Sequence, residues 1–299
     1  MIKVESVTKY YGDVCSLDEV TLQIPDGSIF GLIGSNGSGK STLLRAMRGI
    51  FAIEEGRILF DGCNIWENTE QKAKLVYLSD EPYFLPHSSI DDMRNLFCSL
   101  YPTFDNAKFD KLLNLFGLPL RRKINTFSKG MQKQTSVLLG LSVCPKYLFC
   151  DETFDGLDPV MRQAIKAIFI QEMERRSFTP VIASHNLREL EDISDHIGLL
   201  HKGGVLLSQD LEDLRCNLTK IQCVLPEELD EKIQNALLVL KMQRHGKLLT
   251  MTVRGETDKV VSWLNTLNPI YCEAVPLTLE EIFISETEVA GYDIKSLIS

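Results

Sequence analysis

The hydrophobic positions change period along the chain, and each change marks an element. Ile2 and Val4, then Val20, Leu22 and Ile24, alternate with polar residues as a half-buried strand does. A turn at Pro25-Asp26-Gly27 leads into Ser28-Ile29-Phe30-Gly31-Leu32-Ile33, the near-continuous apolar run of a strand covered on both faces. Leu43, Leu44, Met47 and Ile50 then recur at helical spacing, so residues 28–49 are predicted to be strand, loop and helix. From about 81 to 145 the period is helical, with Pro82, Pro86, Pro102 and Pro119 at the joints of stretches such as 90–101 and 105–116. This is the pattern of a helical subdomain. Strand signals return at Tyr147-Leu148-Phe149-Cys150 and at Val181-Ile182-Ala183-Ser184, with a helix predicted between them over 160–175. Such alternation belongs to a parallel sheet with crossover helices, and the core is predicted to be α/β.

Beyond Asp210 the rhythm shortens. Strands are predicted near 219–224, 237–242, 247–253 and 269–275, and helical stretches at 227–235, 256–266 and 278–286. Strands returning this quickly around two helices suggest a small α+β domain over 212–299, after a first domain of 1–211.

Composition narrows the class. The 299 residues carry 32 Lys+Arg against 41 Asp+Glu, a formal charge of −9, which argues against a nucleic-acid partner. The longest apolar run, Ile29 to Gly34, is far short of the roughly 20 residues a spanning helix needs. The opening Met1-Ile2-Lys3-Val4-Glu5 has neither the apolar core of a secretory signal nor the arginines of a transit peptide, and predicts a cytosolic chain. The eight cysteines form no Cys-x-x-Cys pair and read as reduced thiols rather than a zinc cage.

The chemistry gathers on the predicted α/β core. Gly34-Ser35-Asn36-Gly37-Ser38-Gly39-Lys40-Ser41 has the spacing of a phosphate-binding loop and lies between a strand and a helix, as that loop requires. Its glycines let backbone N–H groups turn toward phosphate, the helix dipole points the same way, and Lys40 adds a positive charge. Ser41 supplies a hydroxyl for Mg²⁺, and Thr42 follows as a further nucleotide contact. The buried run 147–150 delivers Asp151 and Glu152 at the strand's C-terminal end, where open α/β sheets bind ligands. Asp151 is the candidate Mg²⁺ partner and Glu152 the group that polarises an attacking water.

Phe127-Ser128-Lys129-Gly130-Met131-Gln132 opens a helical stretch 23 residues ahead of Asp151. With that spacing the chain resembles the ATP-binding cassette (ABC) family, in which a Leu-Ser-Gly-Gly-Gln signature helix of one subunit covers the γ-phosphate held by the other. The resemblance is strong over about 1–210 and loose beyond. It implies a P-loop NTPase fold with a RecA-like parallel core, an antiparallel β subdomain and a helical subdomain. Ser128, Gly130 and Gln132 then take the signature positions, Gly156-Leu157-Asp158 the D-loop, His185 the switch histidine and Tyr11 the aromatic that stacks on adenine. Two departures stand out. Lys129 and Met131 alter the signature, a form similar to that of ATPases paired with separately encoded six-helix export permeases for peptides, lantibiotics and antibiotics. Asp80, in Ser79-Asp80-Glu81-Pro82, stands where the family usually has the Q-loop glutamine, and is expected to approach Mg²⁺ and to slow hydrolysis or sharpen its metal dependence.

The resemblance thus implies an ATPase using ATP and Mg²⁺, paired with a second ABC subunit, identical or different, and with a membrane permease that holds it at the cytoplasmic face. The segment from Asp80 to about Ser99, with Phe84, Leu85 and Ile90, is implied as the permease's docking groove. The alternative is a soluble ABC ATPase acting on ribosomes or nucleic acid. Such proteins carry two cassettes or a long coiled-coil insertion, and this chain has neither.

Overall fold

Residues 1–289 are described by a computed structural model, in which strand and helix follow one another as β1 (Ile2–Tyr11), β2 (Val14–Ile24), β3 (Phe30–Ile33), α1 (Lys40–Met47), β4 (Glu55–Phe60), β5 (Cys63–Asn64), α2 (Thr69–Lys72) and β6 (Leu75–Leu78). Helices α3 (Ile90–Leu100), α4 (Asn106–Phe116) and α5 (Lys129–Ser142) come next. Then the chain returns through β7 (Tyr147–Asp151), α6 (Pro159–Arg175), β8 (Thr179–Ser184), α7 (Leu187–Glu191), β9 (His196–His201) and β10 (Gly204–Asp210). It divides into two compact units, Met1–Ser208 and Gln209–Ser299.

The first unit holds two sheets. One is antiparallel, in the order β2-β1-β4-β5. The other runs β10-β9-β3-β8-β7-β6, with β9, β3, β8, β7 and β6 paired parallel. All residues of β3, β7 and β8 are buried, which is why these strands read as apolar runs rather than alternations. Leu32, Leu44, Met47, Tyr147, Phe149 and Val181 meet in one core, each at most 1% exposed. Lys146 joins both sheets, pairing with Asp61 of the β4–β5 turn at 2.7 Å and with Asp26 at 3.1 Å.

The helical subdomain is less continuous than its period suggested. Residues 79–89 form a loop, α3 starts behind a capping box of Ser89 and Asp92, and a single turn at Ile124–Thr126 precedes α5. Asp105 caps α4, and Gly117, at φ 62°, ends it in the left-handed conformation glycine tolerates. The prolines had marked the joints without showing how much chain each occupied.

In the second unit α8 (Leu211–Asn217) is followed by β11 (Leu218–Val224), α9 (Asp230–Ala236), β12 (Leu238–His245), β13 (Leu248–Arg254), α10 (Thr257–Asn265), β14 (Tyr271–Val275) and α11 (Leu279–Val289). The antiparallel sheet has the order β12-β13-β11-β14. A βαββαβ chain in this order is the ferredoxin-like split βαβ arrangement. Ile221, Cys223, Met251 and Val253 bury one sheet face against Ile233 of α9 and Val260 and Leu264 of α10. Alternation within β11 leaves Lys220 and Gln222 half-buried on the other face. The part of the expected 212–299 domain from 290 onward, and the side chain of Cys216, lie outside the described residues; the other seven cysteines are free thiols.

Candidate active site

Two glycines shape the loop between β3 and α1. A side chain on Gly34 would bring its Cβ within 2.3 Å of Ser38 Oγ and 2.5 Å of the Leu200 carbonyl. Gly39, at φ 104°, caps α1 with no side chain, and a Cβ there would meet the Ser16 carbonyl at 2.6 Å. The first N–H groups of α1 therefore have no side-chain cap and are free for an anion. Ser35, Asn36 and Gly37 are exposed at the tip, and Ser16 Oγ donates to Thr42 Oγ1 at 3.0 Å.

Lys40 is 5% exposed and lies back along the loop, its Nζ donating to the carbonyls of Gly34 at 2.7 Å and Ser35 at 3.1 Å. Burial lowers its pKa, partly offset by the charges of Glu152 and Asp151. Those two acids close the site. Ser41 Oγ donates to Asp151 Oδ1 at 2.9 Å, and Glu152 Oε1 stands 3.6 Å from Lys40 Nζ. Glu152 Oε2 lies 2.9 Å from His185 Nδ1, so β7 and the end of β8 present acid and imidazole side by side. Glu152 itself holds φ 48°, a strained backbone conformation for a side chain of its size.

Two residues that the spacing had not singled out belong to this cluster. Tyr77, on β6 beside β7, donates its hydroxyl to Asp151 Oδ2 at 2.7 Å and receives Arg45 Nε at 3.2 Å. Burial and the Asp151 carboxylate both push its phenol well above the ordinary range, so it remains a donor. Lys133 of α5 is 8% exposed and donates to the Glu152 carbonyl at 2.7 Å and to Asp80 Oδ1 at 2.9 Å. An aromatic in an aliphatic strand next to the acid-bearing strand was the available signal for Tyr77; Lys133, in the polar run Gln132-Lys133-Gln134-Thr135, had none.

The remaining candidates are placed as follows. Ser128 is the N-cap of α5, its Oγ accepting from Met131 N at 3.2 Å, and Gln132 Nε2 reaches back to the Ile124 and Phe127 carbonyls, both at 3.4 Å. A Cβ on Gly130 would lie 3.3 Å from the Gly156 carbonyl, so the signature segment runs against the loop before α6. Asp158 caps α6 through Met161 N at 2.9 Å, with Pro159 at the first helical position. Tyr11, at the end of β1, packs edge-on against Phe51 at 5.8 Å and leaves 45% of its surface free. Asp80 pairs with Lys133; among the described residues no hydrogen bond or ion pair joins Asp80, Ser128, Gly130 or Gln132 to residues 34–42 or Asp151.

The donor set fits a nucleotide with its metal. Ser38 Oγ is buried without a hydrogen-bond partner inside the loop, an orphan that a phosphate oxygen would satisfy. Ser41 and Asp151 offer hard oxygen donors suited to Mg²⁺. Among the described residues no group of three or more His, Cys, Asp or Glu side chains is placed to hold a metal ion.

Between β6, α3 and α5 a groove of about 430 Å³ opens, lined by Ile50, Tyr77, Tyr83, Phe84, Phe97 and Tyr101 among others. Tyr83 is 78% exposed, whereas Ile90 is fully buried and serves the core. Among the described residues no helix is long and apolar enough to cross a membrane.

Comparison with known proteins agrees with this geometry. Residues 17–155 match the family model described as ABC transporter. The ABC transporter ATP-binding protein YtrB of Bacillus subtilis is 29% identical over 96% of this chain and 98% of its own length. The lantibiotic transport ATP-binding protein SrtF of Streptococcus pyogenes is 31% identical, covering 72% and 95%. The bacitracin transport ATP-binding protein BcrA of Bacillus licheniformis is 28% identical, covering 99% and 96%. Among solved structures, an ATP-binding subunit of an ABC transporter superposes with a TM-score of 0.66 at 24% identity, over 72% of this chain and 92% of that one.

Proposed function

The chain belongs to the ABC transporter family and is an ATP-binding, ATP-hydrolysing subunit, and from that premise we propose that two such cassettes close around two ATP molecules and drive a separately encoded membrane permease that exports peptides, toxins or antimicrobials. The observation that carries this reading is the cluster at the sheet's C-terminal edge, where Ser41 bonds Asp151 and the next residue, Glu152, pairs with both Lys40 and His185. Lantibiotic and bacitracin transport in two relatives support the cargo class.

Each residue has a role in hydrolysis. The N–H groups of Gly37 to Ser41 and Lys40 bind the phosphates, Tyr11 faces the adenine ring, and Ser41 with Asp151 would hold Mg²⁺, whose charge neutralises the phosphate oxygens. Glu152 orients the attacking water and receives its proton as the bond between the γ-phosphorus and the bridging oxygen breaks. His185, hydrogen-bonded to Glu152, holds that carboxylate and faces the γ-phosphate. Ser128, Gly130 and Gln132 complete the site of the partner cassette, and Asp158 lies at the shared face. With each site built from both chains, nucleotide supplies the differential affinity that closes the pair and hydrolysis removes it.

The groove beside Tyr83 and Phe84 receives a cytoplasmic helix of the permease, which holds the chain at the membrane. Affinity capture of the tagged chain from detergent-solubilised membranes of its host is expected to recover a polytopic membrane protein of about six helices, consistent with helical spans of roughly 20 residues each. Recovery of ribosomes or soluble partners alone contradicts the transporter role.

A further inference from the structure

The Lys133 ammonium touches both the departure at position 80 and the backbone of Glu152. It is 8% exposed, so its charge needs compensation inside the protein. Asp80 Oδ1 provides it at 2.9 Å while the Asp80 side chain keeps 57% of its surface in water. The same ammonium donates to the Glu152 carbonyl at 2.7 Å, a charge-assisted bond to a residue held at a strained φ of 48°. The Glu152 backbone is fixed on both sides: its N–H donates to the Ala183 carbonyl at 2.9 Å, and its carbonyl also receives Asp155 N at 3.3 Å. Rotation about the Glu152 φ and ψ bonds would swing the carboxylate away from His185.

We propose that Lys133 is a positioning residue for Glu152, and that Asp80 stands where it does to hold Lys133 in place. This deepens the proposed function and rests on Glu152 being the group that orients water. It also assigns Asp80 a partner other than the metal. An amide at position 80 could accept a hydrogen bond from Lys133 but could not balance its charge. Because Asp80 belongs to the 79–89 loop and Ser79, Pro82, Tyr83 and Phe84 of that loop line the groove, the ion pair links the groove's wall to the backbone of Glu152.

The test uses the purified full chain, with phosphate release measured across Mg-ATP concentrations and nucleotide binding followed separately. Lys133→Met is expected to lower kcat about tenfold to a hundredfold, the scale on which small misplacements act, with KM, nucleotide affinity and Tm near those of the unaltered chain. Asp80→Asn is expected to lower kcat less. The double variant should match Lys133→Met alone, since both changes act through one ammonium. Lys133→Arg, which keeps charge and donor, should recover part of the rate, and with Asp80→Asn carries the test if Lys133→Met does not fold. Unchanged kcat in Lys133→Met, or losses that multiply in the double variant, overturns the inference. Failure of the unaltered chain to bind and hydrolyse Mg-ATP would instead overturn the proposed function.

Discussion

The hydroxyl of Tyr77 shows how much of the proposed Mg²⁺ site rests on a residue outside the recognisable motifs. Asp151 spends one carboxylate oxygen on Ser41 and the other on Tyr77, so the phenol fixes the acid's orientation. Tyr77→Phe keeps the ring that packs on the core and removes that bond together with the one the hydroxyl accepts from Arg45 Nε. Second partners of this kind are worth about tenfold to a hundredfold in metal affinity or activity, and a Mg²⁺ titration of ATPase activity should shift to higher metal by that order. An unshifted titration would show that Ser41 alone orients Asp151. The residues now found around Lys40 were legible because each sits at a fixed distance along the chain from a strand end: Gly34 to Ser41 after β3, Asp151 and Glu152 after the run 147–150, His185 after 181–184. Tyr77 and Lys133 were not. Their neighbours come from β6 pairing with β7 and from α5 lying near that edge, which no local spacing encodes. The expectation that Asp80 approaches Mg²⁺ was likewise made without Lys133 in view.

Between elements, a charged cluster ties the helical subdomain to the sheet's crossover helix. Glu172 of α6 accepts from Lys108 Nζ of α4 and from Arg176 Nε, each at 2.6 Å, with only 12% of its side chain exposed. Burial pushes its carboxyl up, but the hydrogen bonds and charges of Lys108 and Arg176 outweigh this and hold it below the usual 4.5. A carboxyl whose folded pKa is depressed contributes stability that is full above its unfolded value and disappears as pH falls through the folded one. Glu172→Gln should therefore cost about 1–3 kcal/mol at pH 7. Below the depressed pKa the two forms should converge, as urea denaturation at both pH values would reveal. A cost that is the same at low pH would mean the packing, not the charge, matters. Local pattern revealed most of these helices and the short strands beyond Asp210. It missed α8 and the pair β9 and β10, where Ile-Gly-Leu-Leu is too short a run to separate from a loop. It also could not order the second sheet, because the pairing of β11 with β13 and β14 joins residues far apart in sequence.

At the scale of the whole molecule, the proposed function depends on a second copy or a related cassette. Ser128 caps its own helix through Met131 N, and under the proposed function it acts on the ATP held by a partner cassette. The βαββαβ unit after Gln209 extends the match to relatives such as YtrB and BcrA over nearly the full chain. Under the proposed function, ATP is bound between two chains and Glu152 ends the closed state by hydrolysis. The most direct test is the solution mass of Glu152→Gln with and without Mg-ATP, measured by light scattering alongside turnover. The expected result is a monomer that becomes a lasting dimer on adding Mg-ATP, with most turnover lost. A variant that stays monomeric and hydrolyses ATP at the unaltered rate would contradict the account.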